Sequence, residues 1–270
     1  MDCPFGALGC EVLLVLSLEI SGAQGEKSSA GEKGTGIKMK TVAIITARGG
    51  SKRIPRKNIK EFCGKPILAY SIEAAVSSGI FDTVMVSTDD EEIAEVAKRY
   101  GAQVPFFRSE RTANDYATTN DVLLEVLSEY EKRGEQFDMA CCIYPTAPFV
   151  TAQKLKNAVE QLNISDADTL IPVVAFSYPP QRAMIVENER LVFEYPQYLD
   201  SRSQDLIPHY HDVGQFYVFR TEAFLKNKKL MVGNILPLIV SELEVQDIDN
   251  QTDWELAEMK YRLLHEEEQA

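Results

Sequence analysis

The chain has 270 residues and a mass of 30.3 kDa, long enough for one α/β domain that buries roughly 70% of its unfolded surface without disulfides. Lys and Arg total 28 against 41 Asp and Glu, a formal charge of −13. That balance excludes the broad basic face of a nucleic-acid tracker and opposes attachment to an anionic membrane. Small anionic ligands stay open wherever cations are concentrated locally.

Five cysteines without repeated metal-ligand spacing do not describe a disulfide framework, and they suit a cytoplasmic protein. Cys141 and Cys142 lie in an apolar run and read as buried filler. His209, His211 and His265 have no zinc-site spacing.

Residues 1–38 read apart from the rest. Their apolar run CEVLLVLSLEI (10–20) is too short to span a membrane. It also has no preceding basic segment, which a signal peptide needs. The Gly/Ser/Glu/Lys-rich stretch 21–36 has a composition that does not pack. Residues 1–38 are therefore expected to be a disordered or non-native extension, a genuine anchor or partner-binding arm being the alternative. The ordered domain is expected over 39–270.

From residue 40 the pattern is regular. TVAIITA (41–47) predicts a strand, PILAYSIEAAVSSG (66–79) a helix opening on proline, TVMVST (83–88) a second strand and DDEEIAEVAKRYG (89–101) a second helix. QVPFF (103–107) reads as a short strand, TTNDVLLEVLSEYEKRG (118–134) as a helix and MACCIY (139–144) as a central parallel strand. A helix over 151–163 and the strand TLIPVV follow. This alternation predicts a three-layer α/β fold: a mostly parallel sheet flanked by helices. Ligands should gather at the carboxyl ends of its strands.

Residues 176–212 break the rhythm. They are rich in Pro, Tyr and β-formers and contain MIVENERLVFE, a hairpin pattern turning at ENE. An antiparallel insertion is expected, its aromatics serving a partner surface or capping the chain's own core. GQFYVF (214–219) returns to the sheet, and a helix beginning TDWELAEM ends the chain.

ARGGSKRIPRKN (47–58) is the sharpest local signal. It places Gly49, Gly50, Arg48, Lys52, Arg56 and Lys57 directly after a strand. Backbone amides and fixed cations in such a loop can neutralise phosphate oxygens. The spacing is neither GxGxxG nor GxxxxGK[ST], so the common dinucleotide and P-loop motifs do not apply.

At this point the chain resembles the acylneuraminate cytidylyltransferases. IITARGGSKRIPRKNIKEFCGKPILAYSIEAA, VMVSTDDEEIAEVAKRYGAQVPFFRS, DYATTNDVL, YPTAPF, SRSQD, DVGQFYVF and DIDNQTDW follow the family's order over about 40–261. The resemblance implies a nucleotide-diphospho-sugar transferase-like fold that joins CTP to a 2-keto sugar acid and releases pyrophosphate. It also implies Mg²⁺ as cofactor and a homodimer formed through the insertion.

Carried onto this sequence, the resemblance puts Arg48, Gly49, Gly50, Ser51, Lys52, Lys57 and Asn58 around the nucleotide phosphates. Lys57 would stabilise the departing pyrophosphate, and Arg48 and Asp247 join it as catalytic residues. Arg108, Thr118 and Thr119 would approach the cytidine, although the two threonines also suit a helix N-cap. Asp247 and Asp249 would hold the metal. In extended backbone they share a face while Ile248 turns into the core. No residue stands out as the general base: Asp247 is one candidate, and His209 or His211 a weaker one.

The acceptor pocket is expected to use Tyr144, Thr146, Gln215 and Tyr217, with Arg202 and Gln204 from the insertion. Tyr144 stands where a glutamine is usual in sialate-activating members, and Ala147 where serine is common. This points to pseudaminic acid, with N-acetylneuraminate, legionaminate and ketodeoxyoctonate as alternatives. An inactive CMP-sugar-binding module is the alternative of another class.

Overall fold

The computed structural model describes residues 39–266, so the expectation for residues 1–38 lies outside the described residues. Strand β1 (Thr41–Thr46) opens the fold with five of its six residues buried. Its period of two sends Ala43 and Ile45 to one apolar layer and Val42 and Ile44 to the other. The phosphate-loop candidate follows, then a 3-10 turn at Lys57–Ile59, the short pair β2 (Glu61–Phe62) and β3 (Lys65–Pro66), and helix α1 (Ile67–Ser78).

Strand β4 (Thr83–Ser87) leads to α2 (Glu91–Arg99), whose first turn is capped by Asp90 accepting from the Ile93 amide at 3.0 Å. The chain continues through α3 (Glu110–Ala113), α4 (Thr119–Lys132), β5 (Met139–Ile143), α5 (Ala152–Ile164) and β6 (Thr169–Ala175). The insertion carries β7 (Met184–Glu187) and β8 (Arg190–Phe193). Then come β9 (Tyr210–Asp212), β10 (Phe216–Arg220), α6 (Thr221–Asn227), β11 (Ile235–Ile239) and α7 (Gln251–Glu266).

The main sheet runs β11-β6-β10-β5-β1-β4, with β9 beside β6. Strands β4, β1 and β5 are parallel, as are β6 and β11, while β10 is antiparallel to both its neighbours. The expected mostly parallel, helix-flanked sheet is present. Helices α1, α2 and α5 pack on one face and α4 and α6 on the other. Cys141 and Cys142 are fully buried in the central strand, one toward each layer.

Two sequence expectations need adjustment. QVPFF forms no strand, only a single bridge from Gln103 to Met85, because the chain leaves the sheet edge at once. The insertion is antiparallel, but β7 and β8 pair only with each other. Their two-residue turn puts Asn188 and Glu189 at φ 49° and 59°, the left-handed pair that a tight hairpin requires.

A third apolar cluster joins Ile54 of the phosphate-loop candidate to Phe62, Ile67, Phe149, Ile248 and Trp254. It fastens α7 and the acidic DID turn beside the carboxyl ends of β1 and β5. No described helix is long and apolar enough to cross a membrane.

Candidate active site

The loop after β1 is built by close contacts within the chain. A Cβ on Gly49 would stand 2.7 Å from Asp90 Oδ2 and 2.9 Å from Asp90 Cβ, whereas one on Gly50 would meet nothing nearer than 3.9 Å. Gly49 is therefore required by the neighbouring loop, and its amide donates to Asp89 Oδ1 at 2.9 Å. Arg56, at φ 54°, turns back to grip Asp90 through Nη1 (2.5 Å) and Nη2 (3.1 Å) and also pairs with Glu92. The Arg56 hydrogen bonds hold the Asp90 carboxyl below its ordinary range. Arg56 is thus a structural clamp, which leaves Arg48, Lys52 and Lys57 as the expected phosphate ligands.

Those three cations line a cavity of about 390 Å³ together with Ser51, Asn58, Tyr144 and Thr146. Asn58 is buried and donates to the Arg48 carbonyl at 2.8 Å, bracing the loop from beneath. Lys57 donates to the Ile248 carbonyl at 2.6 Å, and its ammonium is 3.9 Å from Asp249 Oδ1. Burial lowers the Lys57 pKa, and Asp249 and Asp247 oppose that shift. Arg53 holds Asp249 at 2.7 Å.

Ile248 is buried, as the alternation predicts, and the flanking carboxylates remain beside Lys57. Burial and the charge of Asp249 push the Asp247 carboxyl up. Among the described residues no three or more His, Cys, Asp or Glu cluster as metal ligands.

A second cavity, of about 630 Å³, shares Tyr144 and Thr146 with the first and is lined further by His211, Asp212, Gly214, Tyr217 and Asp247. Tyr144 and Tyr217 meet edge-on with centroids 5.7 Å apart. The Tyr217 hydroxyl donates to Asp212 Oδ2 at 2.6 Å, and the Tyr144 hydroxyl lies 3.0 Å from Thr119 Oγ1. Burial raises both tyrosine pKa values, so both are neutral hydrogen-bonding groups.

Other expected residues fall elsewhere. Thr118 caps α4 in a reciprocal box with Asp121, so its hydroxyl is committed to the helix end. Thr119 reaches Tyr144 at the wall between the cavities. Arg108 is buried and donates to the Ser87 side chain at 3.1 Å and its carbonyl at 2.8 Å, lining neither cavity.

Gln215 also leaves the acceptor wall. It is buried and donates to the Glu244 carbonyl at 2.6 Å; it precedes β10, so strand alternation does not hold it on the face of Tyr217. Arg202 pairs with Asp205 at 2.8 Å within the insertion, and Gln204 is exposed; neither lines a cavity of this chain. His209 hydrogen-bonds within the insertion, while His211 lines the second cavity.

Sequence reasoning passed over Thr46, Arg53 and Pro145 in the first cavity, and Asp212 and Gln246 in the second. It also gave no role to Asp115, whose carboxylate bridges Arg48 (2.5 Å) and Lys52. Arg53 and Asp212 lie inside motifs already singled out, ARGGSKRIPRKN and DVGQFYVF. Asp115 opens the DYATTNDVL motif, but its role was not legible there because its partners are more than sixty positions away in the chain.

A cation-lined loop at the carboxyl edge of a parallel sheet, opening into a second cavity, defines the framework of a nucleotidyltransferase. The chain belongs to the cytidylyltransferase family, whose profile matches residues 42–237. It is 41% identical to a pseudaminic acid cytidylyltransferase of Campylobacter jejuni (strain 81-176), over 84% of this chain and 99% of that protein. It is 30% identical to the CMP-N,N'-diacetyllegionaminic acid synthase of Legionella pneumophila, with the same coverage. Among solved structures, CMP:2-keto-3-deoxy-manno-octonic acid synthetase in complex with CTP shares the fold, with a TM-score of 0.62 and 18% identity over 84% of this chain and 99% of that one.

Proposed function

We propose that this protein transfers CMP from CTP to the anomeric hydroxyl of pseudaminic acid, giving CMP-pseudaminic acid and pyrophosphate. The observation that carries the reading is the pair of cavities sharing Tyr144 and Thr146, one lined by Arg48, Lys52 and Lys57 and the other by Asp247. The similarity to the Campylobacter jejuni protein supports the choice of acid.

In this reading the triphosphate lies along Arg48, Ser51, Lys52 and Lys57, and the sugar acid fills the Tyr144–Tyr217 cavity. The C2 hydroxyl oxygen gives up its proton to solvent and bonds to the α-phosphorus as the bond from that phosphorus to the bridging oxygen breaks, pyrophosphate leaving with that oxygen. Lys57, already desolvated, stabilises charge on the departing pyrophosphate, so catalysis is chiefly positioning and electrostatics.

Asp247 and Asp249 fit a magnesium ion. They are hard oxygen donors whose mutual repulsion a cation relieves, and substrate phosphates and water would complete its ligands. When bound, the ion would neutralise phosphate charge.

The apolar β7–β8 hairpin, with Val186 73% and Leu191 68% exposed, supports a homodimer. Such a partner is where Arg202 and Gln204 would reach a sugar site. The cysteine usage and the soluble substrates support a cytoplasmic location.

The test incubates the protein with CTP, Mg²⁺ and, separately, pseudaminate, N-acetylneuraminate, legionaminate and ketodeoxyoctonate, following pyrophosphate release and product mass. Preference for pseudaminate supports the reading, and preference for another acid replaces the substrate. CTP binding without turnover on any acid overturns it in favour of a binding module.

A further inference from the structure

Asp115 stands over the phosphate loop as a ready-made anion. One carboxylate oxygen takes Arg48 Nη1 at 2.5 Å and the other takes Lys52 Nζ, so a single side chain occupies two of the four cations lining the first cavity. Lys52 and then Arg48 hold its carboxyl below the ordinary range, which keeps it charged at neutral pH.

The segment bearing it is fixed independently of that carboxylate. Asn114 Oδ1 accepts from the Tyr116 and Ala117 amides at 2.8 and 3.1 Å, and Asn114 Nδ2 donates to the Arg111 carbonyl at 2.7 Å. The Thr118–Asp121 capping box anchors the other side. Two fixed points thus hold the side chain between them where the edge of a phosphate would present its own pair of oxygens.

Resting on the phosphate role proposed above for this loop, we infer that Asp115 is a positioning residue that competes with pyrophosphate for Arg48 and Lys52, yielding them to the incoming triphosphate and retaking them as the product leaves. A phosphate bears more charge than one carboxylate and displaces it once seated. The carboxylate is tethered, so it is always present to recapture the cations. Its contribution is to prevent a cation-lined loop from retaining the product. Exposed ion pairs of this kind are individually weak, so the exchange is reversible in both directions.

The experiment titrates inorganic pyrophosphate with Mg²⁺ into the full chain, its Asp115→Asn variant and its Asp115→Glu variant by calorimetry, and measures pyrophosphate inhibition of CTP turnover in each. Asp115→Asn is expected to bind pyrophosphate about fivefold tighter and to be inhibited at correspondingly lower concentrations. Asp115→Glu, which keeps the charge, should return close to the parent value. The Asn114 contacts leave the loop in place, and equal melting temperatures check this.

Unchanged or weaker pyrophosphate binding in Asp115→Asn, with CTP still turned over by the parent, overturns the competitor role alone. A parent chain that binds neither pyrophosphate nor CTP overturns the phosphate reading of the loop and this inference with it.

Discussion

Lys57 and Ile248, 191 positions apart in the chain, are joined by a 2.6 Å hydrogen bond from the ammonium to the carbonyl between Asp247 and Asp249. The phosphate loop and the acidic turn are therefore one unit, with the cation drawn into the carboxylates' field before any ligand arrives. Replacing Lys57 with methionine keeps much of the stem's packing but removes the charge that the proposed reaction sets against the leaving group. A fall in kcat of about 10²-fold is expected, with a smaller change in the KM for CTP, measured by steady-state pyrophosphate release.

The glycine pair separates two explanations of the loop. Gly49→Ala forces a Cβ against Asp90, while Gly50→Ala meets open space. Gly49→Ala should lose about 1–3 kcal/mol of stability together with most activity, whereas Gly50→Ala should melt near the parent temperature. Chemical denaturation of both variants checks the contrast.

The Arg56–Asp90 clamp sets an acid dependence. Asp90 has a folded pKa below its unfolded value, so its contribution is fully present above the unfolded value near 3.8 and is lost as pH falls through the folded one. Arg56→Met should cost about 1 kcal/mol at pH 7, and the two proteins should converge in stability as pH falls below the unfolded value and through the lowered folded one. Denaturation at a series of pH values reads the convergence.

Tyr217 donates to Asp212 on the wall of the second cavity. Tyr217→Phe leaves a carboxylate without that donor, a loss of about 1 kcal/mol. It should raise the KM for the sugar acid several-fold while leaving the KM for CTP near the parent value. A split of this kind in steady-state kinetics assigns the second cavity to the acceptor.

Chelation by EDTA should abolish turnover and Mg²⁺ should restore it. Asp247→Asn and Asp249→Asn should each need more Mg²⁺ for half-maximal rate, because each removes one charged oxygen donor. Mg²⁺-dependent shifts in melting temperature with CTP present give a readout independent of turnover.

The local chemistry was legible without coordinates. Near-continuous apolar runs in TVAIIT and MACCIY mark strands buried on both faces, and the Asn188-Glu189 turn follows from ENE between two β-branched runs. Cations after β1 and the D-x-D near the final helix were visible as a concentration of charge at particular places. The side-chain direction of Gln215 was not legible: Tyr217, two positions on, lines the cavity, while a break after β9 lets Gln215 settle on the Glu244 carbonyl.

By itself, the sequence determined the α/β architecture, the family and the residue types available to a triphosphate, since periodicity and local motifs are short-range properties. Only the tertiary structure decided how those residues are spent: Arg56 on Asp90, Thr118 on its own helix end, Arg108 on Ser87, and Arg48 with Lys52 on Asp115. A charge in a sequence has no partner until folding brings distant segments together. The same guanidinium chemistry serves a clamp or a ligand site according to which carboxylate the packing places beside it.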